Sequence, residues 1–217
     1  MINLKMNMGK DNMEILVVPK NKLFGKNKDD YFQGFKPSGQ VDYEQRILDH
    51  SIFMRRGDAE INPEFKQSIS YCLIVNPQSK KIFSYQRADD DSKYPERRLH
   101  GRWSIGVGGH VEKSDSENPI FESLRREISE EVEPFHVLGK PEVLGYVNYD
   151  ENEVSKVHFG LLYLVETDTQ EIREKDPEIT NGKLRHIDEL EQILFNPDLR
   201  VEEWSKIAFK EIKKILN

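Results

Sequence analysis

The stretch LRREISEEVEP, Leu124 to Pro134, carries four glutamates within seven positions: Glu127, Glu130, Glu131 and Glu133. Carboxylates at this density either form a solvated face or hold a hard cation such as Mg²⁺ or Mn²⁺, which accepts carboxylate, water and phosphate oxygens. On a helix of about 100° per residue, Glu131 lies near 40° from Glu127 and Glu130 near 300°, so these three share an arc of about 100° and Glu133 points elsewhere. Ile120, Phe121, Leu124, Ile128 and Val132 fall between about 20° and 140° on the same wheel; they form the core stripe, with Glu131 at its edge. Like charges at i, i+3 and i, i+4 repel, and a solvated face would lie opposite the stripe with lysines between the acids. Arg126 is one compensating charge and a divalent metal is another. The helix alone leaves both readings open.

Upstream, GVGGHVE places Gly106, Gly108 and Gly109 in an apolar strand-like run. Glycines there let the backbone approach a ligand or make a tight strand exit. Together, GGHVE and RREISEEV resemble the Nudix box of the Nudix hydrolase family, G-x5-E-x7-R-E-U-x-E-E-x-G-U, where U is bulky and aliphatic. Gly109 matches the first glycine, and Arg126, Glu127, Ile128, Glu130 and Glu131 match the central R-E-U-x-E-E. Residues 110–125 form a spacer three residues longer than the box has, and Glu133 stands at its late glycine. The mid-loop acid is therefore either Asp115 or Glu117.

The resemblance implies hydrolysis of a diphosphate linkage, in a nucleoside diphosphate joined to another group, by water attack at phosphorus with Mg²⁺ or Mn²⁺. It implies that Glu127, Glu130 and Glu131 bind metal, that the Gly109 carbonyl adds a ligand and that Arg126 orients the carboxylates. Glu130 or Glu131 then takes the proton, or a downstream glutamate does so: Glu151, Glu153 or Glu166. Candidate substrate contacts are Arg87 and Arg102, with Arg97, Arg98 and the aromatic residues Tyr85, Trp103 and Tyr149, although core packing or solvent exposure accounts for each singly. An isopentenyl diphosphate isomerase-like enzyme shares the fold but uses a catalytic cysteine, and Cys72 lies in the apolar run SYCLIVN. A non-catalytic Nudix-fold nucleotide sensor is a third reading; such proteins lose box carboxylates or add a DNA-binding module. His110 and His158 have no Cys or His partner at zinc spacing and read as ordinary strand or loop histidines.

The elements that must position these groups follow the same strand-loop-helix order. MEILVVP reads as a strand, SISYCLIVN and KIFSYQR as a hairpin turning at PQSK, and the polar stretch Ala88 to Arg98 as a loop. Asn118 as N-cap and Pro119 as first residue start a helix that runs to Val132. PEVLGYVNYD and VSKVHFGLLYLVETD are two more strands, the second apolar enough from Val157 to Val165 to be buried on both faces. EITNGKLRHI is a further strand, DELEQILF a short helix, and LRVEEWSKIAFKEIKKIL a terminal amphipathic helix with Val201, Trp204, Ala208, Ile212 and Ile215 inward. QVDYEQRILDHSIFMRR has a mixed pattern and stays unassigned.

This order describes an α+β chain, a Nudix-type α/β/α sandwich with a mixed sheet over 65–217 and residues 1–64 as an N-terminal extension packed on it. With 217 residues and 36% hydrophobic composition, one sizeable core is the expectation. The net charge of −7 and the absence of any Lys/Arg run longer than a pair argue against a grip on DNA. The expected partner is a small-molecule diphosphate, and a homodimer is compatible with everything above. The N-terminus shows neither a signal-peptide core nor a stretch of ~20 apolar residues, and Cys72 is the only cysteine, so a cytoplasmic protein off the membrane is expected.

Overall fold

The computed structural model describes residues 9–90 and 96–216. Part of the expected Ala88–Arg98 loop (91–95) and the start of the expected extension (1–8) lie outside the described residues. In chain order the elements are β1 Glu14–Pro19, β2 Gly34–Pro37, α1 Tyr43–His50, β3 Ile52–Arg55, β4 Phe65–Asn76, β5 Lys81–Arg87 and β6 Trp103–Ser104. They continue with α2 Pro119–Glu131, β7 Val132–Glu133, β8 Leu138–Asn148, β9 His158–Glu166, β10 Arg173–Glu174, β11 Ile179–His186, α3 Ile187–Leu194 and α4 Glu203–Leu216. The chain divides into two compact units: Met1–Ser70 with Gly109–Arg125 and Val143–Leu162, and Tyr71–Gly108 with Arg126–Glu142 and Tyr163–Asn217.

In the first unit β1 pairs antiparallel with β3, Ile15 opposite Met54, and with the start of β4, Val17 opposite Gln67. β2 pairs antiparallel with β8, Phe35 opposite Val147. The unassigned segment proves to be two elements back to back. Asp42 caps α1, its Oδ1 accepting from Gln45 N at 2.9 Å, and α1 buries Tyr43 and Ile47 at a helical spacing before the chain switches to the two-residue period of β3. Phe24, Tyr43, Tyr146 and Phe159 meet mostly edge-on, with ring centroids 4.9 Å apart for Tyr43–Tyr146 and 5.9 Å for Phe24–Phe159. Such pairs contribute about 0.5–1.5 kcal/mol each beyond the area they bury.

In the second unit β11 pairs antiparallel with β5, and β5 with β4, Val75 opposite Ile82, which is the expected hairpin turning through 77–80. β9 neighbours β4 and is buried along its length except at Glu166, as its continuous apolar run requires. In the first unit Lys66 Nζ donates to His158 O, and in the second Thr167 N donates to Val75 O, so β4 and β9 run parallel and the sheet is mixed. α3 buries Ile187, Leu190 and Leu194, and α4 buries Trp204, Ala208, Phe209, Ile212 and Leu216. One expected inward residue is wrong: Ile215 is exposed, because the stripe continues at four-residue steps from Trp204 to Leu216 and leaves Ile215 beside it. Val201 is buried as expected, but ahead of the helix, in a bridge to Trp103.

Candidate active site

α2 begins as its sequence dictates. Asn118 Oδ1 accepts from Phe121 N at 3.2 Å, and the Asn118 carbonyl accepts from Glu122 N at 2.9 Å. The helix stops at Glu131, one residue earlier than expected, where Val132 and Glu133 enter β7 against β10. Glu133 pairs with Arg173 Nη2 at 3.0 Å on the surface, away from the other three carboxylates in chemistry as well as on the wheel.

Arg126 Nη1 lies 2.8 Å from Glu127 Oε1 and 3.4 Å from Glu130 Oε2, so one guanidinium orients two carboxylates. Their solvation differs: the Glu127 side chain is 13% exposed and that of Glu130 54%. Glu131 is buried, and its Oε2 accepts from Gly108 N at 3.4 Å, a long and weak bond. Burial pushes its carboxyl up to about 8; the nearby Arg87 charge opposes that rise, whereas Glu127 and Asp176 add to it. In the second unit Arg126 thus joins Glu127 to Glu130, and Glu131 lies in the field of Glu127. Gly109 belongs to the first unit, where its carbonyl accepts from Ser70 N at 3.1 Å.

The loop ahead of Gly108 is held by groups distant in sequence. Tyr85 OH donates to the Gly106 carbonyl at 2.9 Å, Tyr71 OH lies 3.0 Å from Ser205 Oγ, and Ser104 Oγ donates to Glu202 Oε2 at 3.1 Å. Arg87 Nε completes the set at 2.9 Å from Glu202 Oε1. A Cβ at Gly106 would lie 1.9 Å from Cζ of Tyr71, whose ring is buried and held through its hydroxyl at Ser205. Gly106→Ala is therefore expected to destabilise the protein by about 1–3 kcal/mol through overpacking, read as a lower thermal midpoint, and an unchanged midpoint would contradict this packing.

A family model for the NUDIX domain matches residues 66–205. The chain belongs to the NUDIX family. Protein YmaB of Bacillus subtilis (strain 168) is 33% identical over 210 residues, covering 93% of this chain and 98% of that protein. The crystal structure of Tm1382, described as a candidate Nudix hydrolase, superposes with a TM-score of 0.74 at 28% identity, over 93% of this chain and 99% of that one. The NUDIX domain of Shewanella oneidensis NrtR, solved with ADP ribose, has a TM-score of 0.54 at 13% identity over 70% and 89% of the two chains, a likeness of fold. The α+β fold with its mixed sheet is the Nudix fold, and no helix among the described residues is long and apolar enough to cross a membrane.

Outside the Nudix box, the candidate residues are scattered. Arg87 is engaged by Glu202, and Arg102 donates to the carbonyls of Arg98 at 2.9 Å and Val201 at 3.1 Å. Tyr85 is core, and Trp103 lies under the Arg185 guanidinium at 4.7 Å. Arg98 pairs with Glu96, and Arg97 is exposed beside it. Tyr149 donates to Glu151, while Glu153 and Glu166 are exposed. Of the two mid-loop acids, Asp115 turns inward to accept from Glu112 N at 2.8 Å, whereas Glu117 is exposed with φ of 57°. Glu202, Ser205 and Asp176 went unnoticed in the sequence because nothing in their spacing links them to the box.

Proposed function

We propose that this Nudix protein hydrolyses a diphosphate linkage in a nucleoside diphosphate derivative, with Mg²⁺ or Mn²⁺ held by Glu127, Glu130 and Glu131. The observation that carries this reading is Glu131, a carboxyl group buried beside other acids whose one hydrogen bond among the described residues is a long one from a backbone N–H. Burial, with Glu127 and Asp176, outweighs the Arg87 charge there, and hard oxygen donors from one helix face suit Mg²⁺ or Mn²⁺. Such an ion, when bound, supplies charge neutralisation at the diphosphate.

The protein's own groups do the rest. Arg126 holds Glu127 and Glu130 in place, Glu130 or Glu131 takes the proton of the attacking water, and the Gly109 carbonyl keeps a second lone pair beside its bond to Ser70. The substrate phosphates fall to Arg87 and Arg102 in the same reading. The isomerase alternative loses support because Cys72 is fully buried, and burial, then the Glu131 charge, raises its thiol well above the ordinary range. Residues 1–64 are read as an extension packed on the 65–217 domain, supported by the pairing of β1 with β4.

The test is a phosphate-release screen with Mg²⁺ or Mn²⁺ over nucleoside triphosphates, ADP-ribose, dinucleotides and diadenosine polyphosphates. Metal-dependent turnover of at least one class is expected. Binding of a nucleotide without turnover of any would replace this reading with the sensor.

A further inference from the structure

His110 and His158, separate and ordinary in the sequence, meet in the first unit. His110 lies opposite Ile69 of β4 in an antiparallel bridge, and His158 opens β9. Their Nε2 atoms are 3.2 Å apart. His110 Nε2 is also 2.6 Å from Gln67 Oε1, and His158 Nε2 is 3.9 Å from Oε1 of Glu60, which follows the helical turn Arg56–Ala59. One ligand atom from each of Glu60, His110 and His158 falls within 4.8 Å of the other two.

Hydrogen bonding alone leaves this cluster short of protons. Nδ1 of His158 faces the Val154 carbonyl, which can only accept, so the neutral ring carries its proton there and turns the Nε2 lone pair toward His110. His110 Nε2 then has at most one proton for two acceptors, Gln67 Oε1 and His158 Nε2. Gln67 is fully buried, and its amide nitrogen has no partner among the described residues. Converging lone pairs with too few donors are relieved by a cation.

We propose that Glu60, His110 and His158 form a second metal site, taking a borderline divalent ion of the zinc class. Two imidazoles and a carboxylate are a zinc donor set, unlike the all-oxygen set of the box. Ligands of a tetrahedral zinc with bonds of about 2.0–2.1 Å sit about 3.3 Å apart, close to the spacing of the two imidazole nitrogens, and the Glu60 carboxylate, 3.9 Å from His158 Nε2 and within 4.8 Å of the His110 ligand atom, has to move inward to complete the set. The Val154 carbonyl is the outer contact that fixes a ligating ring. Of the neighbouring cations, Lys66 is paired with Asp150 at 2.5 Å, and Arg56 Nε lies 3.6 Å from Glu60 Oε1, so the ion would share this carboxylate with Arg56. The ion would tie the Glu60 turn to His110 and to β9, a staple within the first unit.

Full-length protein stripped with chelator, then dialysed against Zn²⁺ in excess Mg²⁺, is expected to retain about one zinc per chain by elemental analysis. Zn²⁺ is expected to raise the melting temperature by at least about 5 °C. His158→Gln and Glu60→Gln should each weaken zinc retention at least tenfold and abolish the thermal shift, whereas Glu130→Gln should keep both. If His158→Gln does not fold, the more exposed Glu60→Gln decides the matter. Equal zinc retention in wild type and Glu60→Gln, or displacement of the zinc by Mg²⁺, would overturn the site.

Discussion

Glu130→Gln and Glu131→Gln are each expected to lower diphosphate hydrolysis by at least about a hundredfold, equivalent to about 2.7 kcal/mol in the barrier, while Glu133→Gln stays near wild type. All three changes replace one carboxyl by an amide in the same short segment, so composition alone predicts three similar variants. Their surroundings predict otherwise. Glu130 shares Arg126 with Glu127, and Glu131 is buried in the field of Glu127 and Asp176, whereas Glu133 pairs with Arg173 on the surface. An exposed pair of that kind contributes about 0–1 kcal/mol, so Glu133→Gln should scarcely change folding. Glu131→Gln keeps the shape of the side chain and removes a buried carboxyl that folding must hold protonated above its ordinary value, so the loss of hydrolysis should come with unchanged or higher stability. That combination separates a lost ligand from a damaged fold. Hydrolysis within threefold of wild type for both Glu130→Gln and Glu131→Gln, at saturating metal, would refute the assignment.

What was legible in the sequence was local. The helical period placed Glu131 at the border of the stripe formed by Ile120, Leu124 and Ile128, and the structure buries it; the same wheel set Glu133 apart, and it faces Arg173. Asn118 and Pro119 marked the helix start by their chemistry. The unbroken apolar run of β9 announced a strand covered on both faces. Contacts between residues distant in the chain were not legible. Gly106 requires glycine because Tyr71, on another strand, covers it, and no local pattern records that neighbour. Glu60, His110 and His158 come from a turn, a loop and a strand start, so spacing rules for metal sites had nothing to match. The segment around α1 and β3 defeated periodicity because two periods abut at Ser51 without a loop between them.

In the metal-free protein, Glu131 is expected to contribute a loss of stability as pH rises from about 4.5 to about 8. Its carboxyl has an ordinary value of 4.5 and is pushed up to about 8 in the folded chain by burial; Arg87 and the Gly108 N–H work against the rise, and Glu127 and Asp176 reinforce it. Below 4.5 both folded and unfolded chains hold the proton, and the group costs folding nothing. Between the two values the unfolded chain releases its proton while the folded chain keeps it, so each pH unit favours unfolding by about 1.4 kcal/mol. Above about 8 the folded chain must also ionise a buried carboxylate, and the loss is complete, on the order of several kcal/mol. Glu131→Gln has no proton to release, so its stability should match wild type near pH 4.5 and exceed it near pH 8. A divalent ion bound to the carboxylates should lift wild type toward the variant at the upper end, because the ionised form then has a partner. Denaturant midpoints of both proteins in chelator, measured across this range, test the sign directly. Two curves that stay parallel from pH 4.5 to 8 would show that Glu131 does not hold its proton in the folded chain, and would remove the charge deficit from which the metal site is argued.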